Sequence, residues 1–123
     1  MGLPNIHRLK HWREFRAVYR QGISHYGSCL ILRALYVPQT TMQSHQTPTK
    51  IGISISTKVS KKAVKRNLIK RRIGGAFQEL LPRINGGWQI VIVVKAQAIE
   101  CKYADFLREL EQLLKKSNII NGY

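Results

Sequence analysis

Ile51-Gly52-Ile53-Ser54-Ile55-Ser56, then Lys61-Lys62-Ala63-Val64-Lys65-Arg66-Asn67-Leu68-Ile69-Lys70-Arg71-Arg72, then Gln89-Ile90-Val91-Ile92-Val93-Val94 are three segments with three different periods. The first alternates strictly, isoleucine on one face and Gly or Ser on the other, which is the pattern of a half-buried strand. Its small-residue face lets another backbone or a ligand approach closely. The second opens a helix that runs to Leu81, because Pro82 disfavours helical geometry in the residue before it. The third follows an Asn85-Gly86-Gly87 turn and is an almost unbroken apolar run, the mark of a strand covered on both faces. Strand, helix and strand in this order predict that residues 51–56 and 89–94 pair in parallel through the helix. Such connections are right-handed in about 98% of cases.

Working outward, Trp12, Phe15, Val18 and Tyr19 recur at near-helical spacing among Arg13, Arg16 and Arg20, a short amphipathic helix ended by Gly22 with Trp12 as core. Cys29 to Val37 is apolar around Arg33 and closes at Pro38, a strand. Gln39 to Thr49 is polar, aperiodic and carries Pro48, a loop. Tyr103, Phe106, Leu107, Leu110, Leu113 and Leu114 form the stripe of a last amphipathic helix. The order is helix, strand, strand, helix, strand, helix. Residues 1–123 form one α+β domain with helices against a sheet, a size that supports a single modest core.

Placed at about 100° per residue, Ile69, Ile73, Ala76, Phe77 and Leu80 make the core-facing stripe of the middle helix. Asn67, Lys70, Arg71 and Gly74 fall on a different side, with Lys65 and Arg72 flanking the core face, while Val64 and Leu68 fit neither group. Half the helix docks and half projects its cations. Gly74-Gly75 inside a helix costs about 1 kcal/mol per residue relative to alanine. The apolar phase runs on through Phe77 and Leu80, so the helix is expected to continue through both glycines.

Between Phe15 and Gln78 there is no Asp or Glu and there are 12 Lys and Arg; the whole chain has a formal charge of +15. One-signed charge on a compact domain repels itself, and a polyanion relieves the repulsion. Lys61, Lys62 and Lys65 stand in or beside the first turn of the helix, where cations oppose the macrodipole and free N–H groups favour phosphate. A solvated basic face would normally carry carboxylates at i+4, and none appears before Glu79. With 44% hydrophobic residues this is a folded domain rather than a basic tail, and its partner is read as nucleic acid.

Other chemistries find little support. Cys29 and Cys101 have no metal-type spacing, and free buried thiols of a cytosolic protein are expected. The N-terminus lacks the apolar run of a signal peptide and Ile90–Val94 is too short to span a bilayer, so the chain reads as cytoplasmic, without a membrane partner. His7 and His11 are four apart but lack a third ligand. The six carboxylates, Glu14, Glu79, Glu100, Asp105, Glu109 and Glu111, make no recognisable metal set, which argues against an autonomous metal-dependent nuclease.

Lys62-Ala63-Val64-x-Arg66-Asn67-x-x-Lys70-Arg71-Arg72-x-x-x-Ala76-Phe77 resembles the signature helix of the bacterial ribonuclease P protein subunit family. Ile51-Gly52-Ile53-Ser54-Ile55-Ser56-x-Lys58-Val59 is similar to that family's central strand, and Glu14-Phe15-Arg16-Ala17-Val18-Tyr19-Arg20-x-Gly22 to its opening helix. The resemblance covers about residues 6–115. It implies a two-layer sandwich of the ribosomal protein S5 domain 2-like type, with a mixed sheet and, against the general rule, a left-handed β-α-β crossover. It further implies a protein that assists a catalytic RNA in endonucleolytic removal of the 5′ leader from precursor tRNA, with Mg²⁺ held mainly by the RNA. The partners implied are ribonuclease P RNA and precursor tRNA. The catalytic-RNA contacts implied are Lys58, Lys61, Lys62, Lys65, Arg66, Asn67, Lys70, Arg71 and Arg72. The leader contacts implied are Phe15, Arg16, Tyr19, Arg33, Ser54 and Ser56, and no protein residue is catalytic. Arg33 stands where some members place a cleft aromatic, giving one ring fewer and one cation more. A small basic ribosomal or rRNA-associated protein is the alternative that charge and size allow.

Overall fold

The computed structural model describes residues 7–37 and 48–120. Most of the expected loop at 39–49 lies outside the described residues. In chain order the elements are α1 (Trp12–Gln21), β1 (Ile23–Tyr26), β2 (Leu30–Tyr36), β3 (Lys50–Ser54), α2 (Ala63–Leu80), β4 (Trp88–Val94) and α3 (Tyr103–Lys116). Short 3-10 turns at Leu81–Arg83 and Ala96–Glu100 flank β4.

The sheet has the order β1-β2-β4-β3. β4 is central, antiparallel to β2 and parallel to β3, so the expected parallel pair is present, in the register Ile51↔Ile90 to Ser54↔Val93. The sheet is thus mixed. Alternation then sorts side chains by face. Leu30, Leu32, Ala34, Ile51, Ile90, Ile92 and Val94 point to the side where α2 and α3 pack with Ile69, Ile73, Ala76, Phe77, Phe106, Leu110 and Leu114. This is the main core, and at roughly 25 cal/mol per Å² of apolar surface removed from water it dominates the stability. The opposite side carries a smaller cluster in which Leu9 and Val18 cover Val91, with Phe15, Leu35 and Val93 around them. The sandwich of sheet and helices therefore has α1 laid over its other face.

Three sequence expectations change. Ile23–Tyr26 is a strand that the pattern did not reveal, because four residues, half of them polar, pairing only with β2 at the sheet edge carry no readable period. Trp12 is 64% exposed and lies outside the core, on the side of α1 away from the sheet. Cys29 and Cys101, expected as buried thiols, are half-buried and neighbour each other between the β1–β2 turn and the start of α3, with Cα atoms 7.6 Å apart, wider than a disulfide spans without backbone movement. Next to them the carboxylate of Glu109 accepts the backbone N–H groups of Ser28 and Cys29.

The glycine pair behaves as expected, since α2 is one helix of 18 residues through Gly74 and Gly75. Beyond it, Thr49 is a buried hinge point. Its hydroxyl donates to the Asn85 carbonyl and accepts from the Trp88 N–H, tying the entry of β3 to the entry of β4.

Candidate nucleic-acid interface

On the α1 side the strand registers place residues in rows. Ser24, Arg33, Val91 and Gly52 stand side by side across the four strands, and Tyr26, Ile31, Val93 and Ser54 form the next row. α1 lies over the first row. Its Phe15 ring sits against Gly52, where a Cβ would collide with the ring, so the small-residue face is what lets the aromatic down onto the sheet. One turn later the Arg33 guanidinium stacks 5.0 Å from the Tyr19 ring centroid, and Arg33 Nη1 donates to Ser24 Oγ at 3.3 Å. The second row stays half open, a strip floored by Ile31, Val93 and Ser54 and ended by exposed Tyr26. Phe15, Tyr19, Arg33 and Ser54 are thereby placed on one side of the sheet.

At the β3 edge a groove of about 430 Å³ adjoins this face at Phe15, lined by Leu9, Lys10, Phe15 and Gly52 on one side and Lys70, Arg71 and Gly74 on the other. Residues expected for two different RNAs thus face one groove. The groove opens where β3 ends the sheet.

The N-terminal half of α2 is the basic element. Lys58, Lys61, Lys62, Lys65, Asn67, Lys70 and Arg71 are exposed. The helix starts at Lys62 with no side-chain cap and no acid in its first turn, so its N–H dipoles face outward beside lysines. Arg66 and Arg72 differ from the rest. Each is half-buried and spends part of its fork on a carbonyl, Arg66 Nη1 on Ser60 at 2.8 Å and Arg72 Nη1 on Cys101 at 3.2 Å. The first ties down the loop before the helix; the second fastens α2 to the start of α3. Val64, 80% exposed, and Leu68 resolve as solvent-facing residues among the cations, which is why they fitted neither face.

Two expected cleft residues are not brought there. Arg16 lies on the outer side of α1 in a shallow depression with Trp12, Arg13 and Arg20. Ser56 falls past the end of β3, where its Oγ accepts the Lys58 N–H in a turn. Sequence reasoning missed Tyr26, whose only signal, an aromatic two residues from Ser24, becomes legible once β1 is known to be a strand.

Carboxylates stay away from the basic half. Among the described residues, ion pairs join Lys50 to Glu14, Arg83 to Glu111 and Arg108 to Asp105, and none uses a cation from residues 58–72. Glu79, the first acid after the acid-free stretch, takes the Tyr103 hydroxyl at 2.6 Å, and that bond holds the phenol above its usual pKa. No group of three or more His, Cys, Asp or Glu among the described residues is placed to hold a metal ion, and His7 Nδ1 pairs with the Thr49 carbonyl at 2.8 Å. No described helix is long and apolar enough to cross a membrane.

Fold and site together define a small basic α+β protein in which a helix with an acid-free N-terminal half borders a groove at the edge of a mixed sheet. Comparison with known proteins gives the family. The family described as Ribonuclease P matches residues 3–118, and the chain belongs to it. The Ribonuclease P protein component of Picosynechococcus sp. is 53% identical, and that of Microcystis aeruginosa 52% identical, each with both chains covered in full. The fold matches the RNase P protein of Staphylococcus aureus with a TM-score of 0.78 at 24% identity, over 94% of this chain and 98% of that one. It also matches the RNase P protein of Thermotoga maritima with a TM-score of 0.75 at 22% identity, over 94% and 98%.

Proposed function

We propose that this chain is the protein component of a cytoplasmic ribonuclease P, a ribonucleoprotein that cuts the 5′ leader from precursor tRNA. In this reading α2 seats on the catalytic RNA and the cleft beside α1 holds the single-stranded leader. The observation that carries it is the shared groove, in which the Phe15 ring and the Lys70 and Arg71 cations face one space with no carboxylate among its lining residues. Stacking surface plus positive groove is the combination that binds unpaired strands without strict sequence preference.

The division of labour follows from the side chains. Exposed lysines and Arg71 neutralise phosphates of the catalytic RNA, releasing counterions, and the Asn67 amide donates a hydrogen bond to the same RNA. Arg66 and Arg72 hold the shape of the element that presents them. Tyr19 and Phe15 offer ring faces to leader bases, and Arg33 braces the Tyr19 ring while adding a cation. In this reading Mg²⁺ is held mainly by the RNA phosphates, and the protein's share is binding and positioning. Fixing the leader beside the catalytic RNA makes cleavage effectively intramolecular.

Reconstitution tests this. With a bacterial ribonuclease P RNA, adding the protein should restore cleavage of precursor tRNA at Mg²⁺ concentrations where the RNA alone is slow. Equal rates with and without protein across the Mg²⁺ range would refute the proposal.

A further inference from the structure

The aromatic wall of the cleft does not stop at Tyr19. Stepping round α1 at about 100° per residue from buried Val18, the side chains come in the order Phe15, Tyr19, Trp12, Arg16, Arg20, Arg13, within about half the circumference. Burial falls along the same path: Phe15 is half-buried on Gly52, Tyr19 leans on Arg33, and Trp12 and the three arginines are exposed. Trp12, Arg13, Arg16, Ala17, Arg20 and Gln21 line a shallow depression of about 350 Å³ on this outer side, with the Arg13 guanidinium 5.7 Å from the Trp12 ring centroid.

Nothing in the fold accounts for this face. Arg13 and Arg16 are three apart, and Arg16 and Arg20 four apart, so like charges neighbour one another and destabilise a ten-residue helix. The one acid of α1, Glu14, faces the sheet, where Oε2 accepts from Gln89 Nε2 at 3.0 Å and lies 3.8 Å from Lys50. An exposed tryptophan loses hydrophobic stabilisation. Ring and cations together suit a strand that has both unstacked bases and phosphates, which excludes a duplex, whose base faces are already stacked.

We propose that the outer face of α1, through Trp12, Arg13, Arg16 and Arg20, binds the 5′-distal continuation of the single-stranded leader after it leaves the cleft. The leader wraps α1, its proximal nucleotides against Phe15 and Tyr19 and its distal ones over Trp12. This rests on the cleft reading above and extends it to a second segment of the same strand, joined to the first through the continuous edge Phe15–Tyr19–Trp12.

The test uses reconstituted holoenzyme and precursor tRNAs whose leaders lengthen one nucleotide at a time. The parent protein should gain affinity in two stages, the second beginning after the cleft is filled. Trp12→Ala, and separately the double variant Arg13→Ala with Arg20→Ala, should erase the second stage, about a tenfold loss for long leaders, and leave the first intact. Retention of the second stage by both variants overturns the proposal. So does a loss of equal size for every leader length and for the catalytic RNA alone, which would assign the face to that RNA instead. A parent without a second stage also overturns it. Failure of the underlying cleft reading shows separately, as Phe15 and Tyr19 variants that bind the shortest leaders as the parent does. The three outer-face substitutions touch no core residue, and melting curves matching the parent confirm that the readout is binding.

Discussion

Two aromatic residues four apart on α1 look equivalent in sequence, and the structure separates their roles. Phe15 packs with Leu9, Val18 and Val91, so its removal acts on both stability and cleft shape. Tyr19 is exposed and meets the sheet through Arg33. Tyr19→Ala should therefore melt close to the parent while weakening precursor tRNA binding by about 1–3 kcal/mol and leaving mature tRNA, which lacks the leader, unchanged. Equal losses for both tRNAs would show that the ring contacts no leader. Gly52→Ala works from the other side of the same contact. The new methyl pushes Phe15 off the sheet, with an expected loss of about 1–3 kcal/mol in stability and a reduced preference for precursor over mature tRNA, read by calorimetry and holoenzyme titration. The sequence showed that Gly52 and Ser54 face a close approach because strict alternation fixes parity. It could not show that the approaching group is a ring from this same chain, since that depends on where α1 lands.

At the scale of the element, α2 divides along its length in a way its residue types alone do not reveal. Period identified the docking stripe from Ile69 to Leu80, and every member of it is buried. Lysine and arginine look alike in a charge run, however, and which of them turn inward depends on carbonyls supplied by distant residues such as Cys101. This difference predicts two outcomes from one helix. Lys70→Ala with Arg71→Ala should keep the fold and flatten the log–log salt dependence of catalytic-RNA binding by about 2. Arg72→Ala should lower the melting temperature, by an amount of the order of one hydrogen bond, about 1 kcal/mol, because the Cys101 carbonyl loses its donor. A slope change for Arg72→Ala as large as for the pair would show that the tie to α3 is incidental. The edge strand β1 was illegible for a related reason: four residues paired on one side are defined by their partner β2, not by their own pattern.

At the scale of the whole molecule, a charge of +15 on 123 residues sets the response to salt. Added salt screens repulsion within the free protein and should raise its melting temperature, whereas in the RNA complex the same salt weakens binding and should lower it. Opposite signs in the two titrations are the expected result; parallel ones would mean that the excess charge is already neutralised within the fold. Fold class and the parallel pair were legible in the sequence because each rests on a period, but the order β1-β2-β4-β3 was not, as it is a matter of which edges meet. That order has a consequence for synthesis on the ribosome. The strand at the centre of the sheet is the last of the four to be made, so β2 and β3 lack a common neighbour until residues 88–94 emerge. α2 precedes them, and during translation its lysines are in the open beside ribosomal RNA with no sheet to dock on. Nascent chains stalled before Trp88 should be cut readily by protease within β2 and β3, and those stalled well after α3 should resist. Completion of the sheet, by pulling the apolar stripe of α2 onto β4, is then the event that turns a sticky basic segment into a finished binding surface.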